Sequence, residues 1–227
     1  MELYNKETLN SFINYCDKVT ESFLLNKKDI EYKLDQWKSG SSNLLLITGM
    51  SGGGKSTLAK ELGKKYHAVV IEVDLFEHNR FLYTFNRKDK NGDYHITKYK
   101  EGEWIIKEYF DKIYSGEKDF DSYSDEDYYK ELEKFIRFII KLSKSHPGRK
   151  YIMEGLQFTK LSGEIGKEID DYPCIVKGTS LFTSMIRRIN RDKDSGDVML
   201  KNPWKLFQWY WKQNKNVESF SKKKLGN

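Results

Sequence analysis

The chain contains a glycine-rich loop between an apolar segment and a segment with helical periodicity. Residues 44–48 (LLLIT) form a short apolar run that is typical of a buried strand. Residues 55–65 (KSTLAKELGKK) place leucine and alanine at three- and four-residue steps, which predicts a helix. A second apolar run, residues 67–74 (HAVVIEVD), predicts another strand. This order is a βαβ unit, so we expect an α/β fold with a parallel sheet flanked by helices.

The loop matches the Walker A pattern, Gly-x-x-x-x-Gly-Lys-Ser, in full. Its glycines let the backbone curl so that successive N–H groups point at phosphate oxygens, and the following helix adds its positive N-terminal end. Lys55 can reach the β- and γ-phosphates, and Ser56 can supply a hydroxyl to Mg²⁺. We therefore expect the chain to bind ATP with Mg²⁺, and GTP is an open alternative. The residues predicted to bind the nucleotide are Gly49, Ser51, Gly52, Gly53, Gly54, Lys55, Ser56 and Thr57.

Acidic residues end two apolar strands of the predicted sheet. Asp74 ends the strand that follows the loop helix, and Glu154 closes the apolar run of YIMEG, residues 151–155. Ligands bind at the carboxyl edge of such sheets, where both acids would lie. Asp74 can accept a proton from an attacking hydroxyl, with Glu72 as second choice for this role. Glu154 can orient Mg²⁺ or its water, so the predicted metal residues are Ser56 and Glu154.

A long insert separates these two strands. Residues 75–149 exceed what a plain crossover needs, and helices are predicted at 103–114 and 125–144. We expect this insert to bind the second substrate, a phosphate acceptor, together with Asp74. Arg80 and Arg87 lie in its aromatic first part and are candidates for contacting the acceptor.

Three arginines follow the fourth predicted strand, residues 173–178. Arg187, Arg188 and Arg191 lie on a predicted helix, on which Arg191 is one turn from each of the other two. One such pair can lean over a transferring phosphoryl group and offset its charge. A glycine shortly afterwards permits a hinge, so residues 185–197 are predicted to form a lid that excludes water.

The N-terminal part of the chain shows helical periodicity over residues 6–39. We therefore predict a helical N-terminal extension, residues 1–42, and one domain over residues 43–227 that acts as a monomer or homodimer. The sequence shows no apolar run of membrane-spanning length and no secretory leader, and its two cysteines make no disulfide framework. The chain is accordingly expected to be cytoplasmic, without a membrane partner.

The C-terminal part of the chain is basic. Residues 197–227 hold seven lysines and two acidic residues, which is a net +5 of the chain's +6. Such a tail is usually a solvated surface, although it leaves nucleic acid open as an alternative partner. Three aromatic residues at helical spacing are expected to pack against the domain: Trp204, Phe207 and Trp211.

Other nucleotide-binding classes fit the sequence less well. Residues 26–29 spell the Asn-Lys-x-Asp guanine reader of GTPases, but they precede the loop by only about 20 residues. That distance is too short for the helix, strand and base-reading loop that would have to intervene. An ABC-type ATPase would need a complete signature before its acidic strand end, whereas LSGE at residues 161–164 is incomplete and comes after Glu154.

The motifs GMSGGGKSTLA, Asp74, YIMEG and RRINRD follow the order found in P-loop small-molecule kinases. The chain resembles most the uridine kinase and phosphoribulokinase group. The resemblance implies a P-loop NTPase fold of the nucleoside- and nucleotide-kinase type. It implies that Asp74 activates the acceptor hydroxyl, that Glu154 holds the Walker B position, and that the three arginines form the lid. The catalytic residues expected on this basis are Lys55, Asp74, Arg187, Arg188 and Arg191.

The expected activity is ATP- and Mg²⁺-dependent transfer of the γ-phosphate to a hydroxyl of a small metabolite, such as a nucleoside, nucleotide or sugar derivative. The chain departs from the group at Ser195, which replaces a further lid arginine, and in LFEHNR after Asp74, which is not the usual acceptor-binding run. A fifth strand is missing unless residues 216–220 (NVESF) supply it. Two alternatives stay open: a polynucleotide end kinase or P-loop ATPase acting on nucleic acid, and a kinase-type toxin acting on a metabolite.

Overall fold

The computed structural model describes residues 29–76, 101–112, 125–161, 163–192 and 203–226. The strands are β1 (Ile30–Tyr32), β2 (Leu44–Gly49), β3 (Val69–Glu72), β4 (Tyr151–Glu154) and β5 (Cys174–Lys177). The helices are α1 (Leu34–Ser39), α2 (Lys55–Tyr66), α3 (Glu101–Lys112), α4 (Asp125–Ser145), α5 (Gly163–Asp170), α6 (Leu181–Asp192) and α7 (Pro203–Leu225). A helical turn at residues 73–76 follows β3, and a 3₁₀ turn, Gln157–Lys160, follows β4.

The strands form one sheet in the order β1-β5-β2-β4-β3. β2 is central and runs parallel to β4 and β5, and β3 runs parallel to β4. β1 pairs antiparallel with β5 at the edge, with Ile30 opposite Val176. The fold is therefore an α/β sheet that is mostly parallel and is flanked by helices. The glycine-rich loop leaves from the carboxyl end of its central strand.

Helices cover both faces of the sheet because the side chains of β2 alternate between two apolar layers. Leu44 and Leu46 face the layer that contains α3, α4 and α5, whereas Leu45 and Ile47 face α1 and α2. At the centre of the first layer Phe76 stacks on Phe135 with ring centroids 4.2 Å apart. The two helices predicted in the insert are thus confirmed, and they form part of the main core.

The C-terminal helix α7 is fixed to the rest of the domain at its far end. The Lys224 ammonium is buried and donates to the carbonyl oxygens of Ile169 and Asp170, at 2.9 and 2.8 Å. These carbonyls end α5, where a cation complements the helix dipole. Near its start α7 contacts α6 and Met50 through Leu206 and Tyr210.

Among the helices in the described ranges, none combines the length and the apolar character that a membrane span requires.

Several sequence predictions are corrected by this fold. The helix predicted over residues 6–39 is wrong at residues 30–32, which form β1; residues 1–28 lie outside the described ranges. The sheet is not wholly parallel, because β1 supplies the fifth strand in antiparallel orientation. Residues 216–220 do not form that strand, since they belong to α7. Trp204 and Trp211 were expected to pack against the domain, but they are 66% and 39% exposed.

Candidate active site

The loop over residues 49–56 has a backbone shape that glycine adopts far more easily than other residues. Gly52 and Gly54 have φ of 75° and 89°, in the left-handed region. A Cβ atom on Gly52 would lie 2.4 Å from the carbonyl oxygen of Ser184, so α6 packs directly against the loop at this point. A side chain at position 52 would therefore disturb both the loop conformation and the approach of α6.

The loop leads into the N-terminus of α2. Gly54 is the N-cap residue and offers no side-chain cap, and the Leu58 N–H bonds to the Gly54 carbonyl at 3.1 Å. The N–H groups of residues 55–57 precede this bond, and the first N–H groups of a helix have no partner within it. Such groups, together with the helix dipole, favour an anion at this end of α2.

Lys55 brings a positive charge into the same place. Its side chain is buried and its Nζ donates to the Met50 carbonyl oxygen at 3.1 Å. Burial lowers the pKa of the Lys55 ammonium, while the nearby carboxylates of Glu154 and Asp74 act in the opposite direction. An ammonium that is largely removed from water is stabilised by a negatively charged ligand. Lys55 and the start of α2 together therefore suit a phosphate group.

Ser56 and Glu154 meet beside this anion site. The register places Glu154 next to Ile47 of β2, just before the loop. The Ser56 hydroxyl donates to Oε1 of Glu154 at 2.7 Å. Glu154 is buried, and its Oε2 has no hydrogen-bond partner among the described residues. Burial raises the pKa of this carboxyl group, and the Lys55 charge and the Ser56 hydrogen bond oppose that rise.

The oxygens of Ser56 and Glu154 form a donor set that suits Mg²⁺. Magnesium is bound in proteins by oxygen ligands, commonly by one or two carboxylates, with water and substrate phosphates completing its shell. The free Oε2 of Glu154 is a buried carboxylate oxygen that such an ion would satisfy. Within the described ranges no group of three or more His, Cys, Asp or Glu residues clusters as a metal site.

Asp74 lies close to this group but not where the sequence placed it. β3 ends at Glu72, and Asp74 belongs to the helical turn at residues 73–76 rather than to the strand end. The turn leaves its carboxylate exposed, and its charge is near enough to raise the pKa of Lys55. An exposed carboxylate beside a buried lysine is accessible to a second molecule that reaches the loop.

Gln157 holds the Asp74 carboxylate, and sequence reasoning missed it. Its Nε2 donates to Oδ1 of Asp74 at 3.1 Å, although the two residues are 83 positions apart. Gln157 is buried, and a Cβ atom on Gly155 would lie 2.5 Å from its Oε1. Glycine at position 155 thus leaves room for the Gln157 amide. A polar residue just after an acidic strand end was the one signal for this role in the sequence.

Glu72, the second choice for a base, is engaged elsewhere. Its Oε1 forms an ion pair with the Lys60 ammonium on α2 at 3.1 Å. This contact directs the Glu72 carboxylate to α2, whereas Asp74 contacts Gln157 after β4. The structure therefore favours Asp74 over Glu72 as the acid available to a ligand.

The arginines of α6 have different surroundings. Arg187 is exposed, whereas Arg188 is half-buried with its guanidinium carbon 4.4 Å from the centre of the Trp209 ring. The charge of Arg191 is close enough to lower the pKa of Lys55. The structure thus brings Arg191 toward the anion site and Arg188 against α7. Residues 193–197 of the predicted lid, and the candidates Arg80 and Arg87, lie outside the described residues.

The loop also has contacts with α7 that the sequence did not reveal. Ser51 was predicted to bind nucleotide, but its N–H donates to Oε1 of Gln213 at 3.3 Å. Its carbonyl oxygen accepts a hydrogen bond from the Tyr210 hydroxyl at 3.1 Å. Gly53 donates its own N–H to the Met50 carbonyl at 3.0 Å. Ser51 therefore ties the loop to α7 and Gly53 bonds within the loop, while the start of α2 offers N–H groups to a ligand.

No protein-family model matches the chain, and no curated protein matches it. Three features meet at one edge of the sheet: the buried Lys55 ammonium at the start of α2, the buried Glu154 carboxylate and the exposed Asp74 carboxylate.

Proposed function

We propose that the chain is a phosphotransferase that moves the γ-phosphate of a nucleoside triphosphate, ATP or GTP, to a hydroxyl of a small metabolite. The observation that carries the proposal is the exposed Asp74 carboxylate beside Lys55 and the Ser56–Glu154 pair. A site that only bound nucleotide would not need Asp74 or Gln157. The chemical class of the acceptor, a nucleoside, nucleotide or sugar derivative, is part of the proposal.

In the proposed reaction each residue acts on charge or on a proton. Lys55 and the N–H groups of residues 55–57 bind the β- and γ-phosphates. Asp74 accepts the proton of the acceptor hydroxyl as its oxygen attacks the γ-phosphorus, and the nucleoside diphosphate leaves. Arg191 offsets the negative charge on the transferring group. The Gln157 bond to Asp74 and the Met50 bond to Lys55 support this proposal, because they orient two of these groups in the absence of substrate.

Ser56 and Glu154 would hold Mg²⁺ in this reaction. When bound, the ion supplies positive charge that neutralises the phosphate oxygens. The short bond between Ser56 and Glu154 fixes the two oxygens relative to the loop, so their contribution is to orient the nucleotide and its metal together.

The sheet also favours one side for the acceptor. Glu154 ends β4 and Asp74 follows β3, and these two strands lie on one side of the central strand β2. The nucleoside part of the donor would then extend toward the other side, above β5. The acceptor is accordingly proposed to enter over the ends of β4 and β3, where Arg80 and Arg87 remain candidate contacts.

The nucleic-acid alternative has observations on both sides. Three of the C-terminal lysines make contacts within the chain, which counts against a role in binding nucleic acid. Lys222 pairs with Glu218, Lys223 with Asp170, and Lys224 with carbonyls of α5. The exposed rings of Trp204 and Trp211 favour a nucleic-acid substrate, since exposed aromatic rings can stack on bases. A nucleic-acid substrate would make binding strongly dependent on salt concentration, which a small metabolite would not.

The proposal is tested by incubating the purified chain with Mg²⁺ and γ-labelled ATP or GTP in the presence of pooled nucleosides, nucleotides, sugars and short oligonucleotides. Separation of the products by mass is expected to find the label on the hydroxyl of a small molecule. Label found only as free phosphate would show that the chain hydrolyses the nucleotide, as an ATPase does, and would refute the proposal. Label confined to oligonucleotide ends would replace it by the nucleic-acid alternative.

Gln157→Met is expected to slow phosphoryl transfer about tenfold while leaving nucleotide affinity unchanged. The variant keeps the length of the side chain but removes the N–H donor that orients the Asp74 carboxylate, and hydrogen bonds to charged groups are among the stronger ones. Steady-state rates and equilibrium nucleotide titration measure the two quantities. Gln36→Met changes an exposed glutamine on α1 and serves as control. Equal transfer rates in Gln157→Met and wild type would show that Gln157 does not orient the base.

A further inference from the structure

Two side chains of α7 contact the backbone of one residue of the glycine-rich loop, Ser51. Tyr210 and Gln213 are three residues apart, so they lie on the same face of the helix. Both are buried, with Gln213 only 2% exposed. Gln213 accepts the Ser51 N–H, and Tyr210 donates to the Ser51 carbonyl oxygen. The orientation of the loop at Ser51 is therefore set by α7 and not by the loop sequence alone.

Tyr210 also joins the loop to the arginine helix. Its hydroxyl lies 3.2 Å from the carbonyl oxygen of Ser184 on α6, in addition to its contact with Ser51. Burial raises the pKa of the Tyr210 phenol, so the hydroxyl stays protonated at neutral pH, and its one proton is shared between these two carbonyl oxygens. The same Ser184 carbonyl oxygen is the atom that would lie 2.4 Å from a Cβ atom on Gly52. One hydroxyl thus lies at the junction of the loop, α6 and α7.

The contact extends to the arginines that follow Ser184 along α6. Arg188 is one turn beyond Ser184, and its guanidinium lies over the ring of Trp209, the neighbour of Tyr210 on α7. Arg191 is a further turn along and is close enough to influence Lys55. Any shift of α6 relative to α7 would therefore move Arg191 with respect to the anion site.

Gln213 is not a residue that stability alone would favour. Its Nε2 is buried and has no hydrogen-bond partner among the described residues. A buried donor without a partner lowers stability, and an apolar side chain of the same size would avoid that cost. The bond from the Ser51 N–H to Oε1 is the interaction for which an amide is needed at this position.

We propose that Tyr210 and Gln213 are positioning residues that hold the phosphate-binding loop and the arginine helix in the geometry needed for transfer. The proposal rests on the proposed function, because it assigns these residues to the same site. Gln213 acts on nucleotide binding, since it fixes the Met50–Ser51 peptide unit and with it the direction of the loop. Tyr210 acts mainly on the transfer step, since it sets the distance between the loop and α6.

The test compares Gln213→Met and Tyr210→Phe with wild type in three measurements: nucleotide affinity by equilibrium titration with Mg-ATP and Mg-GTP, kcat for transfer, and Tm. Gln213→Met is expected to weaken nucleotide binding about tenfold with little change in kcat. Tyr210→Phe is expected to lower kcat about tenfold with a smaller change in affinity. Gln208→Met alters an exposed glutamine of the same helix and should match wild type in all three.

A purely structural role would lower Tm in both variants and leave affinity and kcat at 25 °C unchanged, which would overturn the proposal. If Gln213→Met does not fold, Gln213→Asn keeps the amide but is too short to reach Ser51, and the same loss of affinity is expected. Nucleotide affinity is measured without turnover. If the wild type binds nucleotide but transfers no phosphate, the proposed function is refuted, and the affinity of Gln213→Met still tests the role of Gln213. A wild type that binds no nucleotide would refute both.

Discussion

Lys55→Met is expected to weaken nucleotide binding strongly and to leave the fold intact. Methionine keeps the length of the side chain but removes the buried charge that bonds to the Met50 carbonyl. Loss of two charge-assisted phosphate contacts would weaken binding by about 100-fold or more. Burial lowers the pKa of the Lys55 ammonium, so removing its charge relieves a desolvation cost, while the buried Glu154 carboxylate loses a compensating charge. These two effects oppose each other, so the change in Tm should be small. Equilibrium titration with Mg-ATP and a thermal melt measure the two effects.

Lys64→Met is the matched control, because Lys64 lies on the same helix and is exposed. It should bind nucleotide and melt as wild type does. Two results would contradict the role of Lys55. Affinity within a few-fold of wild type would show that the loop does not bind phosphate through this lysine. A large drop in Tm would show that its bond to the Met50 carbonyl holds the fold together.

The elements around the loop could be predicted because their signals are local. The apolar run before Gly49 and the periodic residues after Gly54 are short-range patterns, and the structure confirms strand β2 and helix α2. The same holds for α3 and α4, whose apolar faces are visible in the sequence. Glu154 follows from its place at the end of an apolar run, and the structure brings it to Ser56 as expected.

The long-range contacts of the site could not be predicted, because no local pattern specifies them. Gln157 meets Asp74 across 83 positions, and Gln213 meets Ser51 across 162. These pairs depend on how the chain crosses between strands and on where α7 returns to the loop. Asp74 was misplaced for a related reason, since the apolar run through Val73 conceals the helical turn that begins there.

Helical periodicity also did not reveal whether the aromatic face of α7 is buried or exposed. It grouped Trp204 and Trp211 on one side of α7, but it cannot tell a face that packs from one that stays exposed. In the same way, residues 30–32 continue a helical pattern, but pairing with β5 makes them a strand. Tertiary hydrogen bonds decide such short segments, whose intrinsic preference is weak.

Asp74→Asn is expected to leave nucleotide affinity unchanged and to reduce transfer by about 100-fold or more, the usual contribution of a general base. Asparagine keeps the shape of the side chain, and its carbonyl oxygen can still accept the Gln157 N–H, so the turn at residues 73–76 should keep its conformation. What it loses is the ability to take a proton from the acceptor hydroxyl. Single-turnover transfer, measured with nucleotide already bound, isolates this step from binding.

Glu72→Gln is the control that makes this result specific. It neutralises a carboxylate two residues away, whose contact is the ion pair with Lys60 on the surface of α2. Surface ion pairs contribute little, so this variant should transfer at nearly the wild-type rate. If Glu72→Gln loses transfer and Asp74→Asn retains it, the base is Glu72 and the acceptor approaches from the α2 side. If both variants retain transfer, neither carboxylate takes the proton, and the general-base role proposed for Asp74 is wrong.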